Sequence, residues 1–202
     1  MRTLRLGVLA SGRGTNLQAI IDACQSGLLR AEVAVVVVDK ATAQARERAR
    51  RAGIPEYFVD FSAYPTKEDY ERRIVSILEE HGVELVCLAG YMRILTPVVL
   101  ERYRNRVMNI HPSLLPAFPG LAAQRQALEH GVRYTGCTVH FVVEEVDAGP
   151  IILQAVVPVL PDDTVDTLAA RILEQEHRIY IEAIRLYQEE RLKIEGRRVH
   201  IL

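Results

Sequence analysis

A change of hydrophobic period along the first half of the chain constrains the fold more than any other feature of the sequence. Residues 4–10, 33–38 and 85–89 are short runs rich in Val and Leu, without the polar alternation of a half-exposed strand, and read as buried parallel strands. Between them, residues 16–25, 43–51 and 66–80 carry apolar side chains at helical spacing, as Ile74, Ile77 and Leu78 do. The order β-α-β-α predicts an α/β fold with a doubly wound, mostly parallel, Rossmann-like sheet. After Gly90 the pattern changes. A helix is expected from near Pro97, a strand over 106–110, and a proline-rich loop over 111–120 held against a core by Leu114, Leu115, Phe118 and Leu121. Two further strands, 136–143 and 150–158, flank the acidic turn 144–149 as a β-hairpin-like addition. A long final helix over 165–190, capped by Asp163 or Thr164, and a short apolar tail over 199–202 close the chain.

With 202 residues, 49% of them hydrophobic, the chain can bury one sizeable core, and a single domain over 1–202 is expected. Its 25 basic and 26 acidic side chains nearly cancel, which argues against a surface that gathers nucleic acid or anionic membrane. An anionic ligand must then be met locally. Cys24, Cys87 and Cys137 are too few and too scattered for a disulfide framework or a zinc site, so a reducing, cytoplasmic setting and no metal are expected. No apolar run approaches the length of a membrane span.

The first strand runs directly into Ser11-Gly12-Arg13-Gly14-Thr15-Asn16 and then a helix. Glycines at such a turn let backbone amides approach a ligand, and the helix N-terminus favours a phosphate. The bland reading is a tight turn capped by Thr15 or Asn16. A dinucleotide site for an NAD-linked oxidoreductase is the rival, because Asp39 ends the second strand where a ribose-binding acid would sit. Leu17, however, stands where the third glycine of that fingerprint belongs, which favours a mononucleotide phosphate.

In Asn109-Ile110-His111-Pro112-Ser113-Leu114-Leu115-Pro116, alternation in an extended strand lets Asn109 and His111 face the same side at the strand's carboxyl end. An amide beside an imidazole suits oxyanion stabilisation and proton movement in acyl transfer; a structural Asn with a His packed on prolines is the alternative. Asp147, in Val146-Asp147-Ala148-Gly149-Pro150, could orient that His, or be an ordinary turn Asp beside a solvated Glu144 and Glu145. Glu176 falls inside the apolar stripe of the last helix, between Ile172 and Ile179, and so faces inward, where its carboxylate wants a substrate amine or an internal cation. The segment Gly90-Tyr91-Met92-Arg93-Ile94-Leu95 could offer backbone groups to a flat heterocycle, with Met92, Ile94 and Leu95 as apolar walls, or be a core-filling loop. His140, inside a strand, could belong to core or site, whereas His81, His130 and His200 read as surface residues.

Together these motifs resemble the glycinamide ribonucleotide formyltransferase family of folate-dependent formyltransferases over essentially the whole chain. The runs Ser-Gly-Arg-Gly-Thr-Asn-Leu-Gln-Ala-Ile, Leu-Ala-Gly-Tyr-Met-Arg-Ile-Leu, Asn-Ile-His-Pro-Ser-Leu-Leu-Pro and Gln-Glu-His stand in family order. The resemblance implies a phosphate- and nucleotide-binding half over 1–100 and a catalytic and folate-binding half over 101–202. It implies that Gly14, Thr15 and Asn16 hold the substrate phosphate, that Glu176 contacts the glycinamide end, and that Asn109, His111 and Asp147 form the catalytic set. Lys67, Met92, Arg93, Ile94, Leu95, Asn109, Val143, Glu144, Glu145, Val146 and Asp147 would line the site of the co-substrate 10-formyltetrahydrofolate. The partners implied are these two small molecules, in a monomer or homodimer. Formyl hydrolases share the Asn-Ile-His-Pro-Ser-Leu-Leu-Pro run and supply the alternative activity. Two departures stand out: Ala122-Ala123-Gln124 where some members carry histidines, and Lys67 for an Arg, which keeps the charge but loses the guanidinium fork.

Overall fold

The computed structural model describes residues 2–202, which form two compact units, 2–108 and 109–202. In the first unit β1 (Leu4–Ala10), α1 (Thr15–Gln25), β2 (Ala31–Val38), α2 (Ala45–Arg51), β3 (Glu56–Phe58), α3 (Lys67–Glu80), β4 (Leu85–Leu88) and α4 (Pro97–Arg102) follow one another. The strands lie in the order β3-β2-β1-β4, all parallel. The Val- and Leu-rich runs are there because both faces are covered: from Leu6 to Ala10 and from Val35 to Val38 nearly every side chain is inaccessible to water. The fold is the α/β, doubly wound, mostly parallel one that the alternation of period predicts.

A buried carboxylate shapes the segment that follows β4. Glu71, on α3, is 2% exposed and accepts from Thr96 N at 2.8 Å, Thr96 Oγ1 at 2.8 Å and Val99 N at 3.4 Å. These are first-turn donors of α4, whose cap Thr96 also accepts from Val98 N, so the Glu71 charge sits at the positive end of a short helix. Burial raises the Glu71 pKa, and the amides of Thr96 and Val99 pull the other way.

The strand β5 (Val107–His111) carries the chain from the first unit into the second, where α5 (Ala123–His130), β6 (Tyr134–Phe141), β7 (Ile151–Pro158), α6 (Val165–Gln188), β8 (Leu192–Glu195) and β9 (Arg198–Ile201) follow. β6 and β7 pair antiparallel, the expected hairpin, and β9 lies beside β7 with β8 outermost. The 24-residue α6 starts on Thr164, whose hydroxyl accepts from Thr167 N while the Thr167 hydroxyl reaches back to Thr164 N, a reciprocal cap. The stripe Leu168, Ile172, Ile179 and Ala183 is buried.

Three elements depart from the sequence reading. The tail expected over 199–202 is a strand hairpinned with β8; a helix, α5, follows the proline-rich loop; and β3, with three residues, is too short to show a period. Among the described residues no helix is long and apolar enough to cross a membrane.

The Glu71 clamp has a measurable consequence. Glu71→Ala leaves buried amide donors without an acceptor and is expected to cost about 2–4 kcal/mol, whereas Glu71→Gln, which keeps one acceptor oxygen, costs about half as much. Urea denaturation of both variants measures the difference, and equal costs would show that the acceptor is not what matters.

Candidate active site

In the first unit, β1 ends in the glycine-bearing turn and α1 begins with Gly14 as its N-cap, in the left-handed region at φ 74°. No side chain caps this helix. The bland expectation of a Thr15 or Asn16 cap is therefore corrected: Gly14 turns the chain, and the first-turn amides face outward along the helix axis, as an anion requires. A Cβ at Gly14 would lie 2.9 Å from Ala45 Cα, so α2 packs directly on the turn.

Asp39 does not wait for a ribose. Its side chain is 1% exposed, and Arg93 Nε donates to Oδ2 at 2.9 Å, with the guanidinium carbon 3.9 Å from the centre of the Phe61 ring. An acid committed to an internal cation is poorly placed to bind a cofactor hydroxyl, which removes the argument for a dinucleotide site. The same contact shows that the Arg93 side chain is turned into its own unit. Of the predicted apolar walls, Met92 and Ile94 are exposed but Leu95 is buried in the core, so Leu95 offers no side-chain wall. Met92 N donates to Ser11 Oγ at 2.9 Å, which ties this segment to the end of β1. Lys67 is exposed at the start of α3.

In the second unit the predicted catalytic residues come together. His111 is 6% exposed, and Nδ1 lies 3.6 Å from Asp147 Oδ2. Nε2 lies 2.9 Å from Phe118 O, and because a carbonyl only accepts, Nε2 carries the proton. Nδ1 is thus the nitrogen that faces chemistry. Asp147 has φ 53°, an unusual value for a non-glycine residue, and its Oδ2 accepts from Gly120 N at 2.7 Å. Gly149 is required nearby, since a Cβ there would lie 1.7 Å from Phe141 O. Phe118 and Gly120, both on the proline-rich loop, therefore hold the imidazole and the carboxylate respectively. Val143, Glu144, Glu145 and Val146 are exposed on the Asp147 loop.

Sequence reasoning left His140 undecided, and the structure buries it beside Asn109. It is 2% exposed; Nδ1 lies 3.0 Å from Phe141 O, so Nδ1 bears the proton and Nε2 is an acceptor. Asn109 Nδ2 stands 3.4 Å from that acceptor, a long hydrogen bond. One amide hydrogen of Asn109 is directed at His140. The pairing was hidden because the two residues are separated by 31 positions. Burial holds the His140 pKa below its ordinary value, helped by the nearby His111 and opposed by Phe141 O and Asp147.

Glu176 is buried on α6, as its place in the stripe predicts. It and burial push the Cys137 thiol up to about 12, while burial and Glu32 push Cys24 up to about 11. Neither thiol is a nucleophile at neutral pH. Among the described residues no group of three His, Cys, Asp or Glu side chains is placed to hold a metal ion.

An amide, an imidazole and a carboxylate gathered beyond a strand end, on a doubly wound fold, are the equipment of an acyl- or formyl-transferring enzyme. The family of formyl transferases matches residues 4–184, and the chain belongs to it. It is 46% identical over 191 residues to phosphoribosylglycinamide formyltransferase of Escherichia coli, covering 95% of this chain and 90% of that protein. It is also 46% identical to the human trifunctional purine biosynthetic protein adenosine-3, but spans only 18% of that protein's length and 90% of its own. The crystal structure of glycinamide ribonucleotide transformylase 1 from Symbiobacterium toebii superposes with a TM-score of 0.98 at 60% identity, over 99% of this chain and 94% of that one. A formyltetrahydrofolate deformylase from Pseudomonas syringae shares the fold at a TM-score of 0.93, with 29% identity over 100% of this chain and 66% of that one.

The buried neutral His140 sets a pH dependence. Its folded pKa is lower than the unfolded value of about 6.5, so the unfolded chain takes up the proton first. The stability it contributes is complete above about pH 6.5 and is lost as pH falls below that, by at most about 1.4 kcal/mol per pH unit. Melting curves between pH 5 and 8 for the wild type and His140→Gln measure this, and equal slopes for the two would refute it.

Proposed function

We propose that this chain transfers the formyl group of 10-formyltetrahydrofolate to the primary amine of 5'-phosphoribosylglycinamide, giving formylglycinamide ribonucleotide and tetrahydrofolate in de novo purine biosynthesis. The observation that carries the reading is the His111 imidazole with its Nε2 proton given to Phe118 O and its Nδ1 facing Asp147 at 3.6 Å. The uncapped start of α1 supports a phosphorylated acceptor, and the near full-length likeness to the Escherichia coli enzyme supports this acceptor in particular.

In this reading the neutral amine attacks the formyl carbon, and the carbonyl oxygen becomes an oxyanion. Asn109, its amide turned by His140, donates its remaining Nδ2 hydrogen to that oxygen, and protonated His111 donates from Nδ1. Asp147 stabilises the imidazolium and accepts the amine proton through water; the tetrahedral species then collapses with cleavage of the bond from the formyl carbon to the folate nitrogen, which leaves with the proton that Asp147 passes on through water. No covalent enzyme intermediate is needed, which agrees with the raised thiol pKa values. Gly14, Thr15 and Asn16 bind the phosphate, and Glu176 meets the glycinamide end. Lys67, the backbone of Met92, Arg93, Ile94 and Leu95, and the loop Val143, Glu144, Glu145, Val146 and Asp147 bind the folate. Residues 1–202 act as one formyltransferase domain, a monomer or homodimer. The proposed setting is the cytoplasm, in keeping with three free cysteines.

Purified protein with both substrates is expected to release tetrahydrofolate and formylated nucleotide in equal amounts, only when the nucleotide is present. Release of tetrahydrofolate without nucleotide would instead assign a hydrolase. His111→Ala is expected to lower kcat by about 10²–10⁴-fold with substrate binding retained, and a variant of normal activity would remove His111 from the mechanism.

A further inference from the structure

A phosphate-binding turn has to hide its carbonyl oxygens as well as display its amides, because a carbonyl dipole facing an anion repels it. In the turn between β1 and α1, three successive carbonyls are engaged. Gly14 O accepts from Gln18 N at 2.9 Å, inside the helix, and Gly12 O accepts from Ala45 N at 3.1 Å, at the start of α2. Arg13 O, in the middle, accepts from a side chain: Arg48 Nε at 2.7 Å. The same guanidinium reaches towards Gln18 Oε1, with Nη1 at 3.5 Å, and Gln18 Nε2 continues to Asp22 Oδ1 at 2.9 Å. Arg48 is thus fastened to both the turn and the helix that the turn feeds. Its stem packs there as well, since a Cβ on Gly14 would lie 3.2 Å from Arg48 Cδ.

From these contacts we infer that Arg48 is a positioning residue for the acceptor's phosphate: it turns the Arg13 carbonyl away from the anion and places a fixed positive charge behind the turn. The inference rests on the formyltransferase reading above. Its chemistry is specific to the phosphorylated end of the acceptor, because none of these contacts involves the residues proposed to act on the formyl group. Loss of Arg48 frees the Arg13 peptide to rotate, and the ground state and transition state, which share the same bound phosphate, weaken together. The signature is a raised KM for the nucleotide at unchanged kcat.

Steady-state kinetics of the wild type, Arg48→Met and Arg48→Lys, varying each substrate in turn, test this. Arg48→Met keeps the apolar stem and is expected to raise the nucleotide KM about tenfold, with kcat within about twofold and the formyl donor's KM unchanged. Arg48→Lys, which restores the charge and one donor without the fork, is expected to fall between the two. The inhibition constant of inorganic phosphate, competing with the nucleotide, should rise in parallel with KM. A partly unfolded variant lowers kcat and leaves both KM values in place, so it cannot imitate the pattern. A wild-type nucleotide KM in Arg48→Met, or equal movement of both KM values, would overturn the inference. If the wild type does not formylate the nucleotide, the reading above fails instead. Calorimetric titration with inorganic phosphate then decides for Arg48: weaker binding to Arg48→Met upholds its role at the turn, and equal binding ends it.

Discussion

Phe118 O accepts the Nε2 proton of His111 at 2.9 Å, and that one bond governs the rest of the site. An imidazole ring is rigid, so engaging Nε2 determines where Nδ1 points. Here it points at Asp147, whose Oδ2 is itself held by Gly120 N from the same loop. Residues 112–122 thereby set both members of the pair, and the loop is in turn held from outside the site. Thr138 Oγ1 donates to Ser113 O and accepts from Leu115 N, Gln154 Nε2 donates to Leu115 O, and Gln126 Nε2 donates to Pro119 O and Leu121 O. Such a shell holds the imidazole and the carboxylate in one geometry, as the proposed proton transfer requires.

The same logic recurs elsewhere in the structure. His140 hands its Nδ1 proton to a backbone carbonyl and thereby becomes the acceptor that turns the Asn109 amide. In the first unit Glu71 gathers the amides that open α4, and Ser11 Oγ takes Met92 N. In each case one polar group is oriented by a hydrogen bond made to its neighbour.

Signals of short range were legible in the sequence, and pairings of long range were not. The strands of the first unit and the long final helix follow from runs of Val and Leu and from a stripe with helical period, and the inward-facing Glu176 follows from the same stripe. Asn109 and His111 could be placed on one side of a strand by alternation alone. Asp39 misled because its position suggests a ribose ligand, and only the fold brings Arg93, 54 positions later, onto it. His140 escaped assignment for the same reason. The helix α5 was hidden because residues 123–130 are mostly polar and follow a proline-rich loop, and β8 and β9 because four-residue strands with alternating charge look like a tail.

That last hairpin lies beyond residues 4–184, the span that matches the family. β9 meets β7 at one residue pair, Ile151 with Arg198, and β8 is the outermost strand. That outermost strand is half as long as β7 and carries Lys193 and Glu195, both well exposed and paired with each other at 2.7 Å. A neighbouring molecule seeking an edge to extend finds a short, charged one. Its length and its paired charges make the outermost strand a poor template for edge-to-edge pairing, a matter of how the fold meets its neighbours and not of the reaction it performs.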